Sequence, residues 1–270
     1  MTRANHGNHE ISRLPAGRVL LALESSEPAQ ELLSAATELA RGLHVELAGL
    51  FVENVALLRM AALPFTREIG LVSGVVRPIE TRDLERTLQR QAEQVRHGLA
   101  RIAAELALPW SFQVARGSLL DQVLEVAADT DLIVLGRRRS AATRAGSEAS
   151  QPAPAPVVSA FFYASVAGLR VLAAALELAR GRPEQLSLLV PASSPASLES
   201  LKERAAAALH VPSGLPRLQP IGAPEAGELA QQTRRRRSRA LVLSMQSLHD
   251  ARTQMRVLLE VAGCPVVLVR

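Results

Sequence analysis

Three consecutive arginines, Arg137, Arg138 and Arg139, follow Gly136 at the end of the apolar run Leu132-Ile133-Val134-Leu135, and nine residues separate Gly136 from Gly146-Ser147. Guanidinium groups bind phosphate and carboxylate through paired N–H donors, and a glycine lets backbone N–H groups come close to an anion. The chemistry on offer is anion binding at the mouth of a strand. The same arginines could equally plug such a pocket, and both alternatives stand.

No other residues assemble into a catalytic set. Cys264, the only cysteine, lies in an apolar stretch with no histidine close to it in sequence, and reads as a packing residue. His44, His97, His210 and His249 fall in separate elements, and His6 and His9 in a polar tail, with neither metal-ligand spacing nor a phosphate-cradling Walker loop. The second arginine run, Arg234 to Arg237 with Arg239, follows a helical stretch and reads as a solvated cap on its C-terminal dipole.

The elements that must position the Gly136 loop are strands and helices in alternation. Because Leu132 to Leu135 shows no polar-apolar alternation, it reads as a strand covered on both faces, as in a parallel sheet flanked by helices, where ligands bind beyond the carboxyl ends. Arg18 to Leu23 is a second such run. It stops at Glu24-Ser25-Ser26-Glu27-Pro28, where Ser26 can cap a helix, Pro28 fits the first turn, and Leu32, Ala36 and Leu39 repeat at helical spacing up to Gly42. Val45 to Val52 is the next strand, and residues 53–80 read as a connection without a core element. An amphipathic helix runs from Thr81 to Leu108, a strand from Trp110 to Ala115, and Ser118 caps a helix carrying Leu120, Val123, Leu124 and Ala127.

Beyond residue 156 the chain begins again. AATELARG, residues 35–42, recurs as AALELARG at 174–181, and the same offset lays Val19–Leu23 over Val158–Phe162. Asp131 to Gly136 has its counterpart in Arg239 to Ser244, so the second copy is shorter. It passes through Leu186–Val190 and Ser194-Pro195 into another helix and ends on the apolar stretch 264–270. The first copy has no room for a matching last strand: either that strand is lost, or the apolar run from Pro156 doubles for it. The expected organisation is a disordered tail 1–16, a first domain 17–147, a linker 148–155 and a shortened second domain 156–270.

Composition excludes several classes. Hydrophobic residues at 48% against 21% charged ones exclude a disordered chain. A formal charge of +5 over 270 residues, with 3% aromatics, gives neither the density nor the stacking surface of a nucleic-acid binder. The most apolar stretch, Ala153 to Leu169, is short for a membrane span, the N-terminus lacks the apolar core of a signal peptide, and a lone cysteine forms no intrachain disulfide. The expectation is a soluble cytoplasmic protein with no nucleic-acid or membrane partner.

ALESSEP after the first strand, DLIVLG before the arginine loop and the final CPVVLVR together resemble the universal stress protein family in its tandem form. The resemblance implies an α/β fold of two tandem doubly wound parallel-sheet domains of adenine-nucleotide-binding type. It places candidate cofactor-binding positions at Glu24, Ser25, Val52, Gly136, Arg137, Arg138, Arg139, Gly146 and Ser147. In place of the family's aspartate stands Glu24, and Arg139 stands where its second loop glycine should. In the second copy Tyr163 takes the place of Glu24, and Ser244-Met245-Gln246-Ser247 replaces the glycine loop. The expected function is therefore a non-enzymatic regulatory or partner-binding protein of the stress response with a degenerate nucleotide site. The alternative is an ATP-binding, slowly hydrolysing member that uses ATP or another adenine nucleotide in the first domain. The strand 132–135 leaves an open edge, and the apolar strand 265–269 could cover it or pair with a second chain; with residues 55–76 as an exposed apolar stretch, a homodimer is the favoured expectation, and an unidentified protein partner is a further option.

Overall fold

The computed structural model describes residues 17–24, 30–69, 74, 76–78, 80–127, 130–136, 157–192, 194–211, 216–222, 225–248 and 250–270. The tail, the capping role of Ser26 and Pro28, Ser25, the arginine loop with Gly146-Ser147, the linker and His249 lie outside these residues.

The elements follow the expected alternation. They run β1 (Arg18–Glu24), α1 (Gln30–Leu43), β2 (Glu46–Asn54), α2 (Val55–Ala61), β3 (Arg67–Ile69), β4 (Val76–Pro78), α3 (Thr81–Glu105), β5 (Trp110–Gly117), α4 (Leu119–Val126) and β6 (Leu132–Leu135). There follow β7 (Val158–Phe161), α5 (Val166–Leu178), β8 (Leu186–Pro191), α6 (Pro195–Leu209), β9 (Arg217–Ile221), α7 (Ala226–Arg235), β10 (Ala240–Ser244), α8 (Ala251–Val261) and β11 (Val266–Val269).

Nine strands join in one sheet in the order β5-β2-β1-β6-β11-β10-β7-β8-β9, and β3 pairs with β4 in a separate antiparallel hairpin. Every neighbouring pair in the large sheet is parallel except β11 with β6. The strands on either side of β11 follow the same order outward, β6-β1-β2-β5 and β10-β7-β8-β9. The two halves therefore point their carboxyl ends in opposite directions.

Both sheet faces are covered, which is why the central strands carry no alternation in sequence. Along β1, Val19, Leu21 and Leu23 belong to the buried cluster that takes in Ala36 and Leu39 of α1, Leu99 of α3, Val171 and Leu172 of α5 and Leu209 of α6. Leu20 and Ala22 face the other way, toward Leu120 and Val123 of α4, Leu229 of α7 and Leu258 of α8. Each leucine or valine buried in this way contributes about 1.5 to 3 kcal/mol.

Helix starts follow local chemistry. Asn54 Oδ1 accepts from the N–H groups of Ala56 at 2.9 Å and Leu57 at 3.3 Å, starting α2. Ser194 and Ser197 form a reciprocal capping box at α6. Ser118 occupies the N-cap position of α4, but its side chain makes no cap hydrogen bond. Residues 53–80 are more ordered than expected: besides the hairpin they hold α2, whose Ala61 is buried.

One further alternative is excluded. The run from Pro156 does not double as a last strand for the N-terminal half, because Val158–Phe161 pairs with β8 and β10 as the first strand of the C-terminal half. The edge of β6 is covered from within the chain, the first of its two expected outcomes. Val266, Val267, Leu268 and Val269 pair antiparallel with Leu135, Val134, Ile133 and Leu132, so the chain's own β11 fills it.

Candidate functional site

Glu24, Val52 and Gly136, the described members of the expected site, lie at or near the carboxyl ends of β1, β2 and β6. Glu24 ends β1 and is half-buried, and its Oε1 accepts a hydrogen bond from Asn54 Nδ2 at 3.2 Å. Asn54 is thus shared between the first turn of α2 and the one acidic group of the expected site. Sequence reasoning passed over it, although an asparagine closing an apolar strand before a helical stretch is a recognisable cap signal.

Glu24 and Asn54 line a cavity of about 170 Å³ together with Ser118, Leu119 and Leu120 from the start of α4 and Arg256, Leu259 and Glu260 from α8. That volume lies below the roughly 300 to 1,000 Å³ of sites that hold drug-sized ligands. The contribution of α8 was not foreseen. It reaches this mouth because β11 runs antiparallel to β6 and brings the end of α8 to the carboxyl ends of the N-terminal strands. Arg252 of α8 also pairs with Asp121 of α4.

The remaining described positions do not converge on a ligand. Val52 stands beside Glu24 in register but is fully buried in the core. Gly136 is buried as well, and a Cβ there would come within 2.8 Å of Leu32 Cδ2 and 3.6 Å of the Pro265 Cα. Glycine at this position therefore leaves room for the Leu32 side chain of α1, a packing role that involves no anion.

The equivalent mouth of the C-terminal half is closed by its own groups. Met245–Ser247 is a 3-10 turn in which Ser244 Oγ accepts from the N–H of Gln246 at 3.2 Å, and the Ser247 hydroxyl donates to the Ser244 carbonyl at 2.6 Å. Tyr163 stacks at a tilt on Phe161, ring centroids 5.7 Å apart. The first turn of α5 presses on it so closely that any Cβ at Gly168 would collide with the Tyr163 carbonyl.

The second arginine run is only partly the solvated cap expected of it. Arg234 and Arg235 do sit in the last turn of α7. Burial, with Arg217 nearby, pushes the Arg236 guanidinium below its ordinary value. Arg239 leaves the cap altogether and pairs with Glu38 of α1, whose other oxygen accepts from Arg180 at 2.8 Å. A carboxylate only 11% exposed holds these two arginines, which explains why Arg239 turns away from solvent. At the end of β2, Glu53 is buried and its Oε2 accepts from Arg116 Nε at 2.7 Å, which raises the arginine's pKa.

Among the described residues no cluster of three or more histidine, cysteine, aspartate or glutamate side chains could hold a metal ion, and no helix is long and apolar enough to cross a membrane. Cys264 is half-buried against the core at the start of β11.

No family model matches the chain, and no curated protein matches it. Among solved structures, a universal stress protein from Archaeoglobus fulgidus is similar at 11% identity and a TM-score of 0.53, over 94% of this chain and 96% of that one. A functionally unknown protein from Pseudomonas aeruginosa is similar at 10% identity and a TM-score of 0.44, over 96% and 93%. With the strand order and two-faced core described above, the first of these likenesses identifies the fold of this chain as that of a universal stress protein.

Proposed function

We propose that the chain is a non-enzymatic, cytoplasmic binding protein of the universal stress protein type, regulatory in the stress response, with a degenerate nucleotide site beside Glu24. The observation that carries this reading is the packing of Leu32 against Gly136. The one loop glycine kept in register already serves helix packing, and the described cavity beside Glu24 is small. The self-capped turn at Ser244 supports the same reading for the C-terminal half, since the Gln246 N–H and the Ser247 hydroxyl proton are already engaged within it.

A second reading, retained binding of ATP with slow hydrolysis, is favoured by Glu24 itself, a half-buried acid held by Asn54 where a ribose hydroxyl could be met. The test is direct. Protein purified from its host is denatured and the extract chromatographed for nucleotide; the degenerate site yields none in stoichiometric amount, and a bound adenine nucleotide establishes the second reading in its place. Should nucleotide be found, replacing Arg137, Arg138 and Arg139 with alanine separates a phosphate clamp, which loses affinity, from a plug, which gains it.

The homodimer belongs to the proposal on narrower grounds than the sequence offered. With β6 covered by β11, the surface left in its support is the exposed apolar group Met60, Leu63, Phe65, Ile69 and Val76. Neither nucleic acid nor a membrane is part of the reading.

A further inference from the structure

A second cluster of charge, outside the Glu24 mouth, lies on the other face of the sheet, at the seam between the halves. There a cavity of about 470 Å³ is lined by Ser34 and Glu38 of α1, by Arg180 after α5, by Arg237 and Arg239 before β10 and by Cys264 at the start of β11, among others. Neither Glu24, Val52 nor Gly136 contributes to it. Its volume falls within the roughly 300 to 1,000 Å³ of small-molecule sites.

The wall is built in a definite way. Glu38, nearly buried, accepts from Arg180 on one oxygen and from Arg239 on the other. A guanidinium carries about five N–H donors in a fixed fork. One carboxylate engaging one nitrogen of each arginine therefore leaves donors on both, held in place for something else. Ser238 is buried and shares a 2.6 Å hydrogen bond with Ser159 of β7, fixing the turn that presents Arg237 and Arg239 on either side of it. Arg237 itself is exposed and left-handed, at φ 51°. Three arginines against Glu31 and Glu38 leave the lining one net positive charge. The hydroxyls of Ser34 and Ser238 and the amide of Gln30 add neutral polar groups.

We propose that this seam cavity binds a small organic phosphate, its phosphate on Arg237 and the free donors of Arg180 and Arg239, and its hydroxylated body toward Gln30 and Ser34. A phosphate offers three acceptor oxygens to such a wall where a carboxylate offers two, and bidentate arginine contacts are the geometry in which phosphate is best held. The site is independent of the fate of the Glu24 mouth.

The experiment is calorimetric titration of the full chain with glycerol 3-phosphate, inorganic phosphate and acetate. Wild-type protein should bind glycerol 3-phosphate saturably and more tightly than inorganic phosphate or acetate. Arg237→Ala should weaken it by about tenfold or more, the loss of one charge-assisted contact. Glu24→Ala should leave it unchanged, which separates this site from the one proposed above. Arg239→Ala, at a position without a left-handed backbone and with Arg180 still on Glu38, gives the same readout should the tight turn at 237 fail to tolerate alanine. Absence of saturable binding, acetate or inorganic phosphate binding as tightly as the organic phosphate, or indifference to both arginine variants would each overturn the assignment.

Discussion

Glu38 and Arg180, joined at 2.8 Å, come from the two copies of one repeated segment, AATELARG and AALELARG. The copies are packed on each other: α1 and α5 meet across the seam, and Gly42 of the first lies against the carboxylate of Glu177, the residue equivalent to Glu38, in the second. The Glu38–Arg180 pair and the approach of Gly42 to Glu177 thus join matching stretches of the two helices within one chain. Glu38→Ala would leave Arg180 and Arg239 facing each other without their carboxylate. We expect a loss of about 1 to 3 kcal/mol in urea unfolding with an unchanged m value. A cost that a double-mutant cycle assigns to Arg180 rather than the less exposed Arg239 would show that the wrong partner had been credited.

At Gly136 the packing reading makes its own forecast. Gly136→Ala should destabilise by about 1 to 3 kcal/mol through overpacking against Leu32. Combining it with Leu32→Ala should cost less than the two changes summed, because the smaller side chain vacates the space. If Gly136→Ala melts like wild type, glycine is there for some reason other than α1.

Acid should loosen the β1-β2-β5 edge. The Ser111 hydroxyl donates to Glu46, and Arg18 approaches it at 3.0 Å, so the Glu46 pKa is held below its ordinary 4.5 against the opposing effect of burial. A depressed carboxylate contributes stability in full above its unfolded pKa, and that contribution is lost as pH falls through the lower folded value. The expected window is therefore below 4.5. Ser111→Ala should move the Glu46 carboxyl titration upward, as followed by NMR, and should reduce stability at neutral pH while leaving it little changed at about pH 2.

Removal of residues 264–270 takes out a central strand, with Val266 to Val269 all buried. We expect aggregation or unfolding, read by circular dichroism and sedimentation, where an interface strand would have given a folded monomer. The homodimer is tested separately by Phe65→Asp, since Phe65 is 92% exposed and its loss costs the fold nothing. Dimer wild type and monomer variant at micromolar concentration is the expected pair of results.

The strands were legible because a run such as Leu132 to Leu135, buried on both faces, admits only apolar side chains, and the recurring segment was legible because residues 35–42 and 174–181 are nearly the same. What those copies do to each other was not: an exposed-looking glutamate on a helix carries no sign of the arginine more than a hundred residues away that will bury it. α2 escaped notice because its seven residues are mostly half-exposed and lack a clean apolar stripe. At the candidate site, Glu24 could be found from its place after a strand. Asn54 joins it through the parallel pairing of β1 with β2, whereas Arg256 and Glu260 reach it only through the antiparallel placement of β11, a long-range pairing that no local pattern encodes.

That placement also sets a clock for the growing chain. β6 is synthesised well before β7, yet its second neighbour is the last strand of all, so through the translation of β7 to β10 its backbone N–H and C=O groups wait unpaired. A bare apolar edge in a half-made protein is an invitation to pair with a neighbour on the same polysome. Slow translation between β6 and β11 should then lower the yield of native protein without altering the stability of the molecules that do fold.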